Sequence, residues 1–335
     1  MEFIDVTRDP IGLRRWYDVY APALTEGQPF TQAWAFEELL EGARFDWPRR
    51  RLIHVAGVVD GEIVAAGSIG LPMLDHLRHA FIEVCVHPQR RRLGFGQQML
   101  VHLEELARAE GRSILGAEVA YPLGLPADGG GWPGSEFARA HGYQFALSDV
   151  ASTLQLPVAE QTLSEVLPRF TDRYQVLSYR SPGPEWIEHQ VSELDATLPT
   201  EAPSGDLTLE DEAVDHEADR VAADILAAQR RTKIRTVALL DQTVVGYTDL
   251  VHPAYDVGRA YQWGTLVHRD HRGHSLGLRL KVTNLLEFQA RFPEPLELLT
   301  FNAEQNAHMI AVNERLGFVP VGRLGEFEKQ VASAE

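Results

Sequence analysis

The sequence has a single cysteine, Cys85, in 335 residues. An internal disulfide is therefore excluded, and a reducing compartment, the cytoplasm, is expected. No unbroken apolar run approaches the ~18 residues of a membrane helix, so no membrane span is expected. The opening MEFIDVTRDP lacks a basic stretch followed by an apolar one, which argues against a signal peptide. Basic residues are scarce: 31 Lys and Arg stand against 48 Asp and Glu, a formal net charge of −17. Nucleic-acid binding needs the opposite balance, so no such partner is expected. An acidic field attracts cations, although acidity also serves solubility alone. Hydrophobic residues make up 44% of the chain, enough to bury a core. The length suggests about two domains.

The two domains are copies. Shifting the chain by 181 positions lays VVDGEIVAAG, from Val58, on LLDQTVVGYT, from Leu239. The same shift lays FIEVCVHPQRRRLGFG, from Phe81, on QWGTLVHRDHRGHSLG, from Gln262. Further on, HGYQF near Gly142 matches LGFVP near Gly317 at a shift of 175, and the Pro/Gly-rich YPLGLPADGGGWPG can hold the six extra residues. The expected boundaries are a first domain over 1–157, a linker helix over 158–172 and a second domain over 173–335. Within each copy the pattern is mixed. HVAGVVDGEIVAAGSIGL alternates about an Asp-Gly turn and predicts a hairpin. HAFIEVCVHP predicts a buried strand stopped by Pro88. Met99, Leu103 and Leu106 fall on one face of a helix that Gly111 ends. The fold class is α/β (α+β), with a mostly antiparallel front in each copy.

Between strand and helix lies VHPQRRRLGFGQQML, Val86 to Leu100, and it returns as VHRDHRGHSLGLRLK, Val267 to Lys281. A strand that passes through glycines into a helix aims free backbone N–H groups at one spot, where the helix dipole adds positive charge. Gly94 and Gly96 allow close approach, and the arginines add forked donors. A pyrophosphate fits that description. The dinucleotide pattern would need glycine at Met99, and the Gly-Lys-Ser/Thr of nucleoside-triphosphate loops is absent.

These loops resemble the acyl-coenzyme-A loop of the GNAT superfamily of N-acetyltransferases, R/Q-x-x-G-x-G/A, filled here by Arg91, Gly94 and Gly96. NAEQNAHMIAVNERLGF, Asn302 to Phe318, resembles the superfamily's following motif. The whole chain resembles the tandem two-domain members of actinobacteria, the group that includes mycothiol synthase. The resemblance implies two tandem GNAT domains, each a mostly antiparallel twisted sheet flanked by helices. It also implies acetyl-CoA as the cofactor, a small-molecule amine as the acceptor, and direct attack in a ternary complex. The alternatives are a degenerate coenzyme-binding pair and a protein-amine acetyltransferase. A monomer, already a pseudo-dimer, and a homodimer are both compatible with a tandem chain.

Carried over residue by residue, the cofactor positions are Val84, Val86, Arg91, Arg92, Leu93, Gly94, Gly96 and Gln97 in the first copy. In the second they are Leu266, Val267, Arg272, Gly273, His274, Ser275, Gly277, Asn302 and Asn306. Glu83 is the candidate general base; its counterpart is Gly264. Asn313 stands where the superfamily often has a tyrosine acid, and Ala138 stands there in the first copy. By analogy with mycothiol synthase the second copy is the working one. Glu201 and Asp206 form a candidate acidic lip for a cationic acceptor, with Tyr261 and Trp263 lining its pocket. His268, His271 and His274 sit among arginines that would repel a cation, so no metal is expected.

Overall fold

A computed structural model describes all residues except 28, 29, 32, 168–172 and 333–335. It divides into two compact units that do not follow the two halves of the sequence. The first unit comprises residues 1–149, 204–210 and 322–335; the second comprises 150–203 and 211–321.

In the first unit, β1 (Glu2–Asp5), α1 (Pro10–Thr25), α2 (Phe36–Gly42), β2 (Arg50–Val59), β3 (Glu62–Pro72) and β4 (His79–Val86) follow one another. Then come α3 (Phe95–Ala109), β5 (Ile114–Tyr121), α4 (Pro133–Ala140) and β6 (Gln144–Leu156), whose residues 144–149 belong to this unit. The predicted hairpin is β2 and β3, and Asp60 and Gly61 take the left-handed conformation that a tight turn demands. β3 pairs with β4 in antiparallel fashion, and β4 pairs with β5 in parallel. Met99 and Leu103 bury the inner face of α3 against one side of the sheet, with Ile82, Leu115 and Phe327. On the other side α1 packs Leu13, Trp16 and Tyr20 over Ala56, Ala66 and Cys85.

The second unit opens with the rest of β6 and then α5 (Glu160–Val166), β7 (Gln175–Arg180), α6 (Glu185–Asp195), α7 (Leu198–Glu201) and α8 (His216–Ala228). It continues through β8 (Arg231–Leu240), β9 (Thr243–Pro253), β10 (Arg259–Val267), α9 (Leu276–Arg291), β11 (Leu296–Ala303) and α10 (Ala307–Leu316) to the first residues of β12 (Val319–Gln330). Its strands run β6-β11-β10-β9-β8-β7. The matching residues obey the same geometry: Arg231 pairs with Pro253 as Arg50 pairs with Pro72.

One boundary expectation needs correction. Residues from Gly322 onward belong to the first unit, because β12 pairs with β5 from Arg323–Tyr121 to Gln330–Ile114 and buries Phe327 in that core. The described part of the expected linker helix contains α5, which packs on the second unit. Leu163 is fully buried in the second unit's core, and Val158 exchanges backbone hydrogen bonds with the Gln289 side chain. Residues 168–172 of that stretch lie outside the described residues. No described helix is long and apolar enough to cross a membrane.

Candidate active site and coenzyme loops

The two loops share one backbone form built from different residues. Left-handed conformations occur at Arg92 and Gly94 in the first, and at Gly273 and Ser275 in the second. The serine in place of a glycine therefore does not change the loop; it costs roughly 1 kcal/mol of backbone strain. Neither α3 nor α9 has a side-chain cap. Asp9 caps α1, Asp215 caps α8 and Asn306 caps α10, while α4, α5, α6 and α7 also lack such a cap. The N–H groups that open α3 and α9 are thus left without a side-chain acceptor, as an anion site requires. A Cβ at Gly96 would meet Val86 and Phe137 at 3.4 and 3.6 Å, whereas one at Gly277 would meet nothing within 4 Å.

The loop arginines brace more than they offer. Arg91 Nε donates to the carbonyl of Val86, and Nη1 pairs with Glu26 at 2.5 Å. Arg272 Nε donates to the carbonyl of Val267, and Nη2 reaches Glu201 at 2.8 Å. Arg92, Leu93 and Gln97 are exposed. His87 and His268 accept from the N–H two residues on and so fix the short turn that opens each loop.

One strand upstream, the first unit opens. β4 and β5 pair only over His79–Phe81 with Ile114–Gly116, then part. The edge of β4 through Val84 and Val86 thus loses its parallel neighbour and can bond an extended ligand. Glu83 lies in that opening. Ser68 Oγ donates to its carboxylate at 3.1 Å, and Tyr20 of α1 is among the groups that act on it electrostatically. Glu118 stands level with Glu83 on β5, and Glu326 lies directly across from Glu118 on β12. Asp149 is close enough to influence both Glu118 and Glu326. Burial pushes Glu83 up to about 7, against the Ser68 hydrogen bond and with help from Glu118. Burial lifts Asp149 to about 6, and burial with the Glu118 and Asp149 charges lifts Glu326 to about 8. Glu83, Glu118 and Glu326 therefore share one face of the sheet, with Asp149 near enough to act on two of them, and the group favours protons or cations.

Residues 13–128 match the acetyltransferase (GNAT) family. A tandem GNAT protein from the clavulanic acid biosynthesis pathway, solved without AcCoA, superposes with a TM-score of 0.81 at 28% identity. It is matched over 100% of this chain and 99% of its own. The chain has the tandem GNAT fold, and acyl transfer is the activity this similarity supports. A GCN5-related N-acetyltransferase from Sphaerobacter thermophilus shares the fold, with a TM-score of 0.64, 16% identity and coverage of 98% and 95%. No curated protein matches the sequence.

The second GNAT unit handles the same positions differently. Arg235 and Asp249, paired across β8 and β9, occupy the register of His54 and Ser68. Their two hydrogen bonds measure 2.8 and 2.7 Å, and Glu188 pairs with Arg235 at 2.5 Å. Burial pushes the Asp249 carboxyl up, but Arg235 and Lys233 outweigh it and hold it below its usual range. Tyr247 replaces Ala66 and hydrogen-bonds Asp195. Its hydroxyl lies 2.8 Å from where a Cβ on Gly264 would be. Gly264 is thus more than a missing base, since a side chain there collides with a buried tyrosine. β10 also carries a one-residue bulge between Gln262 and Thr265, and the Gln262 amide fills it by donating to the carbonyls of Asp249 and Trp263. At Glu118's place stands Phe301, two residues past the last parallel pair, Tyr261 with Leu299.

The remaining expected residues scatter. Glu201 does not wait for an acceptor; it binds Arg269 at 2.6 Å and Arg272 at 2.8 Å. Asp206 belongs to the first unit, where its N–H bonds the carbonyl of Ala146, whereas Glu201 belongs to the second. Tyr261 Oη donates to Asp256 at 2.9 Å, and Trp263 is partly exposed beside the bulge. Asn313 is buried and donates to Asn302 at 2.6 Å, while Asn306 spends its oxygen on the helix cap. Leu266 and Val267 line a cleft of about 250 Å³ with Leu194, Glu201, Arg269 and Arg272. Sequence reasoning missed Tyr20, Ser68, Glu118, Asp149 and Glu326. Only the i, i+4 spacing of Trp16 and Tyr20 hinted at a shared helix face.

Proposed function

We propose that the chain is an acetyl-CoA-dependent N-acetyltransferase whose first unit transfers the group to a cationic small-molecule amine. The observation that carries this reading is Glu83, held by Ser68 in the opening of β4 and β5, three residues before the end of the strand that leads into the first loop. The uncapped N-terminus of α3 and the left-handed Arg92 and Gly94 suit a pyrophosphate. The freed edge of β4 suits an extended pantetheine arm. When bound, acetyl-CoA supplies a thioester carbonyl and a thiolate leaving group. Glu83 takes the proton that an ammonium must shed before it can attack. Its raised pKa makes it a stronger base than an exposed carboxylate while leaving it about half ionised at neutral pH. Glu118, Asp149 and Glu326 favour a positively charged acceptor beside it.

The second unit supports a different reading: it binds the coenzyme without turning it over. Its loop keeps the backbone form, but Tyr247, Gly264 and the Arg235–Asp249 pair fill the place of the base. Analogy with mycothiol synthase favours the second copy; these side chains favour the first. The deciding experiment is amine-dependent release of coenzyme thiol by wild type and by Glu83→Gln, with calorimetric counting of acetyl-CoA sites. Release that survives Glu83→Gln in full would sink the assignment to the first unit.

A further inference from the structure

We infer that Phe81 determines acceptor specificity in the first unit: its ring is the wall on which the acceptor's carbon arm lies, so the preferred acceptor is a primary amine carried on an apolar arm. The inference rests on the proposed role of Glu83 as the base. Phe81 and Glu83 are two residues apart on β4, so their side chains leave the same face, about 6.6 Å apart along the strand. Phe81 forms half of the last rung that joins β4 to β5, opposite Gly116. Beyond that rung the strands part, so the ring stands at the apex of the opening that holds Glu83. It lies over Gly116, where an added Cβ would meet two ring carbons at 3.0 and 3.2 Å. Its other neighbour across the sheet is also a glycine, Gly70. Flanked by two residues without side chains, the ring stays 52% exposed. The buried His79 ring, two residues back on the same face, runs nearly parallel to it at 6.3 Å between centroids.

The surroundings of the ring define the ligand. On the side of Glu83 lie Glu118 and Glu326, which attract an ammonium and repel a carboxylate. On the side of Phe81 the acid level with Gly116 is Glu328, and its oxygens are taken by the N–H and the hydroxyl of Thr208, at 3.1 and 2.8 Å. The surface therefore turns from charged to apolar within one rung. An ammonium at Glu83 with a carbon arm directed along Phe81 matches both parts, and the contact removes apolar surface from water on both partners. A sugar amine matches the charge but not the ring, and an amino acid brings a carboxylate that the acids repel. The second unit has no such wall. Gln262 stands in the place of Phe81, buried, with its amide spent on the bulge.

The test is kcat/KM for coenzyme thiol release with ethylamine, n-butylamine and n-hexylamine, which differ in arm length and hardly in basicity. Wild type is compared with Phe81→Gln, which copies the second unit, with Gly116→Ala and with Glu83→Gln, and a thermal melt establishes that each folds. In wild type kcat/KM should climb at least about tenfold from ethylamine to hexylamine, because each fully buried CH₂ is worth about fourfold and the arm is covered on one side. Phe81→Gln should flatten that climb to about threefold or less. Gly116→Ala, whose Cβ displaces the ring, should reduce it. A packing defect would lower all three amines alike, so the climb separates recognition from structure. A flat series in wild type, or an equal climb in Phe81→Gln, overturns the inference. If the climb survives Phe81→Gln while Glu83→Gln is inactive, the wall falls and the base stands. If Glu83→Gln keeps full turnover, the base falls, and the wall stands only if the climb still depends on Phe81.

Discussion

The two units keep one backbone and spend it on opposite chemistry. At equivalent positions, the first unit has the pair His54 and Ser68 and the second has Arg235 and Asp249. Ser68 hands its hydrogen bond to a carboxylate in an opening, whereas Asp249 is consumed by a buried ion pair. Where the first unit sets a row of acids with raised pKa values, the second sets Gly264, Tyr247 and Phe301. Duplication preserves the parts fixed by backbone geometry, such as the left-handed loop positions. Side chains are free to diverge wherever a partner diverges with them.

The contrast can be broken at several points. The largest effect is expected from Glu83→Gln, which should lower kcat/KM by about 10²- to 10⁴-fold. Steady-state thiol release measures it, and a loss under about threefold would erase the functional difference between units. Next is the pair Asp249→Ala and Ser68→Ala. Removing one partner of a buried ion pair costs about 3–5 kcal/mol, whereas the loss of one hydrogen bond costs about 0.5–1.5 kcal/mol. Chemical denaturation should rank them in that order, and equal destabilisation would deny that the second unit's network is structural. Third, Gly96→Glu and Gly277→Glu each set a carboxylate at a loop meant for an anion. Each should weaken acetyl-CoA binding at its own loop by at least about tenfold, or 1.4 kcal/mol, while sparing the other. Calorimetry that finds a single site, lost with Gly96→Glu alone, would make the second loop a relic.

The smallest effect concerns pH. Glu326 has a folded pKa of about 8, above its ordinary value. A group raised in this way stabilises the fold fully below its unfolded pKa, and loses that contribution as pH climbs through the folded value. Glu326→Gln should therefore leave Tm unchanged near pH 4 and raise it near pH 8. Allowing for solvent screening, the gain is on the order of 1 kcal/mol, or about 2–4 °C. Calorimetric melts at both pH values check this, and a Tm that falls at pH 8 would mean that the acid row is held by partners in the protein.

Much of this was legible in the letters. The repeat, the Asp60–Gly61 hairpin, the buried face of α3 and the loops all follow from local pattern, because each depends on neighbours within a few residues. Glu83 stood out through the family resemblance, which implies a carboxylate base on the strand before the loop. What stayed hidden depends on strand register. Glu118 and Glu326 are far apart in sequence and meet only because β12 lies beside β5. Glu201 and Asp206 read as one acidic lip because they are five residues apart, yet the chain passes from one unit to the other between them. The bulge at Gln262–Thr265 inserts one residue that no hydrophobic alternation announces.

The placement of β12 has a consequence for how the protein is made. The first unit completes its sheet with residues 323–330, which are synthesised long after β5. Until then β5 has a bare edge, and Phe327 is missing from a core otherwise synthesised long before. A stop codon shortly before Gly322 would spare every residue of the proposed base and loop of the first unit and still leave that unit open. Severing the chain at the repeat boundary would therefore not liberate two small enzymes.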